Sequence, residues 1–363
     1  MQKIVVIGGG PAGLSAAIEG AKTGLKVTLY EKNKLGENIN CAEGFFDTLN
    51  IFGEPKYGVL YKVRQIDLQL KSCYSFPCDS KINIWMLDKG QWQKGLANEA
   101  RGLGVNIIEN YQINKEILKR IISENDWVID ATGAESLTSK ALKFNNYSSV
   151  APAVAVQYTL EGDFRNLSGK FKIGLEENIK GYYWIFPKTN NLANVGIGLL
   201  ENTKKNLWGE LEKILQKEGI DLYKRLKKIG GICPIKKLDR LVYDNVILVG
   251  DSAGLVSPLH GAGIDTSCVS GKIAIQSIVN NKVESYENMI DAVLGSKLKQ
   301  DKIIFELWMN LEYNHIENVI KFLSSNRITK YNISKLFNGN LKLLKHDKLL
   351  NFIMSTYGLP LHI

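Results

Sequence analysis

At 363 residues, 45% of them hydrophobic, the chain is too long for a small module and suits two interleaved domains around a sizeable core. No apolar run reaches the roughly 18 residues of a membrane span, and the five cysteines, odd in number and without a C-x-x-C pair, favour reduced thiols in a cytoplasmic setting over a disulfide framework. The net charge of +9 admits nucleic acid, an anionic membrane or an acidic partner, but no nucleic-acid motif accompanies it.

Residues 4–7, Ile-Val-Val-Ile, read as a buried strand, and Gly8-Gly9-Gly10-Pro11-Ala12-Gly13 follows at once, with glycine at every required position of G-x-G-x-x-G. Residues 14–23 are rich in helix formers, and residues 27–30 form a second strand that ends at Glu31. Glycines at these positions allow a tight turn, let the backbone approach a pyrophosphate and let the helix pack on the strand, while an acid at the end of the second strand takes ribose hydroxyls. A dinucleotide site is therefore expected here. The Lys3-led apolar start is not read as a signal peptide, because the glycines interrupt it.

Residues 33–57 are loop-like. Residues 64–70 alternate polar and apolar side chains as a half-buried strand, and residues 81–86 are expected to be its hairpin partner. Trp92, Leu96, Ala100 and Leu103 recur at helical spacing, and a short strand is expected over 105–108. The run 126–130 then ends in Ala131-Thr132-Gly133, the shape of an inner strand reaching its ligand edge. From 152 to 234 strand-like segments prevail, with one amphipathic helix near 207–218; residues 246–249 return to a buried strand ending in Gly250-Asp251, and a helix runs to about Val279. The expected fold is α/β: a doubly wound, Rossmann-like cofactor domain over 1–150 and 236–285, antiparallel substrate-domain strands in 61–87 and 151–235, and a helical C-terminal region over 286–363. Within that region, residues 321–348 hold seven Lys/Arg against one Asp, interleaved with Leu, Ile and Phe. Such a segment suits peripheral contact with an anionic membrane surface, and equally suits a solvated helical face.

Four stretches stand out: Gly8 to Gly13 with Glu31; Cys41-Ala42-Glu43-Gly44; Tyr182-x-Trp184-x-Phe186-Pro187, then eight residues, then Gly196-x-Gly198; and Gly250-Asp251-Ser252-Ala253-Gly254 with Pro258-x-x-Gly261-x-Gly263-Ile264. Together they resemble flavoproteins of the geranylgeranyl reductase family, within the larger group that shares the aromatic-hydroxylase FAD fold, with Ala42 in a glycine position of the family's Cys-Gly-Glu-Gly loop. The resemblance implies FAD contacts at Gly8, Gly10, Pro11, Ala12, Gly13, Glu31, Lys32, Cys41, Ala42, Gly133, Asp251, Gly261, Gly263 and Ile264. Lys89 stands where this flavin fold commonly has arginine.

A carboxylate at a strand end, as expected of Asp251, can accept hydrogen bonds from a polyol, and FAD carries the ribityl chain that NAD lacks. Gly261 and Gly263 open a helix whose N–H groups can face the anionic end of a reduced flavin. Tyr182, Trp184 and Phe186 alternate along one strand and so share a face, with Gly196 and Gly198 beside them as further substrate-site candidates. An apolar wall of that kind suits an isoprenoid chain; aromatic filling of a sandwich core is the alternative. Cys41 and His260 are the candidate catalytic groups, weighed against an inert thiol and a structural histidine, and for Glu43 of the same loop the alternative is a surface loop acid. No metal site is expected.

The implied activity is saturation of carbon–carbon double bonds in a polyprenyl lipid or diphosphate, with hydride from reduced FAD and electrons from NAD(P)H or ferredoxin. Two rivals remain open: an FAD monooxygenase or halogenase, and a flavin-bearing lipid-binding or electron-carrier protein without turnover. Halogenases carry Trp-x-Trp-x-Ile-Pro where this chain has Tyr182 and Phe186 at the outer positions, and hydroxylases favour Asp-Gly where it has Asp130-Ala131. Both differences lean toward the reductase.

Overall fold

A computed structural model describes residues 2–78, 82–144, 153–199 and 205–325. The chain runs through β1 (Lys3–Ile7), α1 (Pro11–Lys22), β2 (Lys26–Tyr30), β3 (Gly44–Phe46), β4 (Val59–Lys62), β5 (Gln65–Gln69), β6 (Cys73–Pro77) and β7 (Ile84–Leu87). It continues with α2 (Lys89–Gly102), β8 (Asn106–Ile108), α3 (Lys115–Glu124), β9 (Trp127–Asp130), α4 (Leu137–Leu142), β10 (Ala153–Glu161), β11 (Lys170–Gly174), β12 (Gly181–Thr189) and β13 (Leu192–Leu199). Then come α5 (Leu207–Lys217), β14 (Lys224–Cys233), β15 (Val242–Tyr243), β16 (Val246–Leu248), α6 (Ile264–Val279), α7 (Tyr286–Ile290), α8 (Ser296–Asn310) and α9 (Tyr313–Ser325).

One six-stranded sheet has the order β15-β16-β9-β1-β2-β8, and all its pairs are parallel except β15 with β16. Burial on both faces explains why β1 and β9 read as unbroken apolar runs. Helix α1 lies against α6, and small residues set the distance: a Cβ at Gly271 would meet the Ala12 carbonyl oxygen at 2.3 Å.

The second sheet has seven strands in the order β14-β10-β13-β12-β11-β5-β6. Its pairs are antiparallel except β11 with β5, so it is mixed at one joint. The two-residue period divides its faces. Val156, Tyr158, Tyr183, Ile185 and Ile197 pack under α5, while Trp184 and Phe186 point the other way, into a core shared with Ile84 and Met86 of β7.

The expectation that residues 81–86 pair with 64–70 is corrected. The hairpin partner of β5 is β6, in the register Gln65↔Pro77 to Gln69↔Cys73. β7 instead joins β3 and β4 in a separate three-stranded sheet, so of the strands within 61–87 only β5 and β6 enter the large sheet. Burial is the reason: all four residues of β7 are covered, Ile84 and Met86 by the core around Phe171, Trp85 and Leu87 by a cluster with Trp92 and Ile264. Beyond 286 the described chain is helical, and the basic stretch 321–348 falls outside the described residues after Ser325. No helix among the described residues is long and apolar enough to cross a membrane.

Candidate active site

Between the two sheets lies a cavity of about 900 Å³ whose wall includes Gly10 and Glu31 at one extreme and Trp184, Leu307 and Trp308 at another.

Its cofactor end is built largely from backbone. Gly8 has φ +103°, and a Cβ there would lie 2.3 Å from the Ala131 carbonyl oxygen. A Cβ at Gly13 would lie 1.9 Å from the Gly8 oxygen, whereas at Gly10 it would meet nothing within 4 Å. Gly8, Gly10, Pro11 and Ala12 therefore face the cavity, and Gly13, absent from its wall, is the packing glycine. Helices α2, α3, α4 and α5 each begin at Asp88, Asn114, Ser136 or Asn206, whose side chain accepts an N–H of the first turn. By contrast α1 starts at Gly10 and α6 at Gly263, neither with a side-chain cap, and both ends open on the cavity. Two helix ends with bare N–H groups are suited to anions.

Glu31 is fixed by Gly9 N–H (2.7 Å to Oε2) and Asn33 N–H (2.9 Å to Oε1), and its remaining lone pairs are left for hydroxyls. Lys32, Gly133, Gly261 and Ile264 also reach the wall. Asp251 sits on the turn after β16 and faces the cavity; burial raises its pKa above the ordinary carboxylate value, against the lowering effects of Lys89 and of a hydrogen bond from Ser267. Lys89, the first residue of α2, lines the same space. Bare helix ends, a glycine with open space in front of it and an acid at each of two strand ends fit a dinucleotide that carries a polyol.

The apolar end is built from side chains. Tyr182, Trp184 and Phe186 share one face of β12 and line the cavity, and Phe171 stacks on Phe186 at 3.9 Å. Ile304, Leu307, Trp308 and Leu311 of α8 and its C-terminal end supply the opposing surface. Tyr182 donates to the His260 carbonyl oxygen (2.7 Å), and burial pushes its phenol well above the usual range. Gly198 is on the cavity wall. Gly196 is not: a Cβ there would lie 2.3 Å from Trp184 Cζ2, so its place as a substrate contact is corrected to a seat for the indole ring.

Cys41, Ala42 and Glu43 border both ends. Cys41 Sγ accepts from Glu43 N–H at 3.3 Å. Glu43, for which a surface loop acid was the alternative, is 7% exposed with φ +68°, a left-handed conformation that costs most L-residues about 1–2 kcal/mol. The three donors on its carboxylate explain how it is held there: Lys89 N–H at 3.0 Å, Lys188 Nζ at 2.7 Å and Asn194 Nδ2 at 2.8 Å. The acid thus ties the start of α2 to β12 and β13. His260 stacks on Phe46 (5.6 Å), its Nδ1 accepts from Ala262 N–H (3.2 Å), and burial lowers its pKa to about 4, so the ring is neutral at pH 7. Its Nε2 lies 3.9 Å from Asp301, which also accepts from Ser257 and Lys297.

Sequence reasoning named Glu43 only as part of its loop and missed Lys188, Gln157 and Asn194. The last two gave a signal, since each is a polar amide between apolar neighbours inside a strand, Val156 and Tyr158 for one and Ala193 and Val195 for the other.

This constellation is that of an FAD-dependent oxidoreductase. Residues 3–56 match an FAD binding domain, and residues 153–231 match the geranylgeranyl reductase catalytic domain. A digeranylgeranylglycerophospholipid reductase of Methanosphaera stadtmanae is 26% identical over 92% of this chain and 92% of its own length, and a second from the same organism is 29% identical over 87% and 90%. The solved structure of a geranylgeranyl bacteriochlorophyll reductase-like protein from Thermoplasma acidophilum superposes with a TM-score of 0.80 at 21% identity, covering 98% of each chain, which shows a shared fold. The chain is thus similar to geranylgeranyl reductases along most of its length, and its cofactor is FAD.

Proposed function

We propose that this enzyme saturates carbon–carbon double bonds of a polyprenyl chain carried on a lipid or a diphosphate. The observation that supports this most is the continuity of one cavity from the bare helix ends and Asp251 to the aromatic wall of β12 and the aliphatic face of α8. A volume near 900 Å³ lies at the upper end of the roughly 300–1,000 Å³ typical of ligand pockets.

Bound and reduced, FAD supplies hydride chemistry at its isoalloxazine ring. Gly8, Gly10, Glu31 and Lys32 would hold its nucleotide half; Asp251, Lys89, Gly133 and the 261–264 turn would hold its ribityl and ring half, with Cys41 and Ala42 alongside. Tyr182, Trp184 and Phe186 orient an apolar chain and exclude water. Cys41 is the protic side chain at the boundary between the two ends, and in our reading it holds the proton delivered to the alkene carbon that does not receive hydride. His260, neutral and tied to Ala262, keeps the 257–263 loop in shape. Electrons come from NAD(P)H or a ferredoxin, and the prenyl lipid is collected at the membrane surface.

The test is anaerobic. Protein reduced with dithionite is mixed with geranylgeranyl diphosphate or its glycerol ether, and flavin reoxidation is followed with product mass. Substrate-linked reoxidation with gain of hydrogen pairs is expected. Oxygen-dependent hydroxylation would instead support the monooxygenase reading, and absence of any substrate-linked reoxidation the carrier reading.

A further inference from the structure

Gln157, on β10, is 3% exposed and lies on the cavity side of the large sheet. Its Oε1 accepts from the indole Nε1 of Trp184 at 2.9 Å, and its Nε2 donates to the Cys41 carbonyl oxygen at 3.2 Å. An indole nitrogen only donates and a carbonyl only accepts, so the amide has one satisfactory orientation; a flip would set donor against donor and acceptor against acceptor. Strand register explains how the indole reaches it. Gly196 pairs with Gln157 on one side and with Trp184 on the other. The ring occupies the space that a side chain at Gly196 would fill, crossing β13 to reach β10. Two positions along β13, Asn194 repeats the arrangement: its Nδ2 donates to the Ala42 carbonyl oxygen at 3.2 Å, and its Oδ1 accepts from Thr159 Oγ1 at 2.8 Å. Two buried amides of adjacent strands thus hold two successive carbonyls of the cysteine loop.

We propose that Gln157 is a positioning residue that fixes the Cys41 loop to the aromatic wall through Trp184, with Gly196 as the gap that permits the contact. Satisfying a buried indole N–H needs only an acceptor. A primary amide whose other end grips the loop carrying the boundary thiol does more: the wall that receives the apolar chain and the thiol beside it keep one relative placement, set by Trp184 and independent of the glycine turn that binds the nucleotide. The role for a prenyl chain rests on the function proposed above; the placement of Cys41 does not.

The experiment reads that placement without turnover. FAD-loaded wild type, Gln157→Met, Trp184→Phe and the double variant are treated with iodoacetamide, and alkylation of the Cys41 peptide is timed by mass spectrometry, with flavin absorbance as the check of folding. Gln157→Met should speed alkylation of Cys41 roughly five- to tenfold, the scale of one lost neutral hydrogen bond. Trp184→Phe, which removes the indole N–H and keeps an aromatic ring, should move the rate in the same direction, and the double variant should match the faster single variant. An unchanged Cys41 rate in flavin-loaded Gln157→Met, or effects that multiply in the double variant, would overturn the proposal; if Gln157→Met fails to retain FAD, an unchanged rate in Trp184→Phe overturns it alone. Steady-state assays with geranylgeranyl diphosphate then separate the two readings. Active wild type with reduced kcat and near-constant KM in Gln157→Met agrees with positioning, while inactive wild type counts against the prenyl substrate and leaves the alkylation result standing.

Discussion

At one end of the cavity, Gly10 and Gly263 leave helix N–H groups bare; at the other, the indole of Trp184 and the amides of Gln157 and Asn194 are hydrogen-bonded to groups of the protein itself. The first arrangement is incomplete without an anionic ligand. The second is complete in advance and offers an apolar guest a surface with its polar atoms already paired. The cofactor end thus contributes binding, and the apolar end contributes shape and placement.

The largest effect expected separates two glycines of the same motif. Gly13→Val drives a side chain into the Gly8 carbonyl oxygen, 1.9 Å from the ideal Cβ, so the strand-to-helix turn itself fails. Little folded protein should be recovered, whatever FAD is added. Gly10→Leu meets open space and should leave the fold intact, but its side chain occupies the path of the pyrophosphate. FAD affinity should fall by roughly 100-fold or more, about 2.7 kcal/mol, with the melting temperature of the FAD-free protein unchanged. Equal loss of fold in both variants would erase the distinction between packing and ligand glycines.

The next effect tests the joint between the two ends. Glu43→Ala leaves Lys188, whose side chain is 16% exposed, without its carboxylate, and removal of one partner of a buried pair typically costs about 3–5 kcal/mol. Partial exposure of the pair places the expected loss at the lower end of that range. Denaturant melts of the FAD-saturated protein measure it. Lys188→Met in the Glu43→Ala background should recover part of the loss, because the stranded charge is then gone. A double variant no more stable than Glu43→Ala would mean that the backbone of the 41–44 loop, not the charge pair, carries the joint.

The same contrast explains what the sequence made legible. The glycine turn, Glu31 and Asp251 are visible because each element of that end is contiguous in the chain or stands at the end of a buried run, so local pattern and ligand chemistry coincide. The face shared by Tyr182, Trp184 and Phe186 is visible too, since it follows from a period of two. Whether Gly196 touches ligand or indole depends on its cross-strand register with Gln157 and Trp184, which no local pattern around Gly196 reveals. The misplaced partner of β5 has the same origin: the alternation in 81–86 hid a strand covered on both faces. Glu43 was unreadable for a further reason, because an acid in a loop is normally solvated and only the meeting of three donors from distant elements makes its burial tolerable.

The smallest effect concerns His260, which lines the cavity with its Nε2 3.9 Å from Asp301 of α8. Its pKa is lowered from 6.5 to about 4, chiefly by burial, with Asp301 opposing and Lys297 assisting. The unfolded chain therefore takes up a proton near pH 6.5 that the folded protein refuses until about pH 4, and wherever the unfolded state binds more protons stability rises with pH. The histidine's contribution is fully present above pH 6.5 and is lost progressively as pH falls from there toward 4. Asp251 and Asp265, whose pKa values burial raises, act in the opposite direction, so the measurement is a difference. His260→Asn keeps an acceptor for Ala262 N–H and removes the titration. Urea midpoints of wild type and variant, taken at pH 7.5 and pH 5, should converge or cross on acidification, because wild type alone carries this loss. A constant difference between the two proteins across that interval would show that the imidazole titrates alike in the folded and unfolded chains, and that its burial beside Phe46 and Asp301 has no electrostatic consequence.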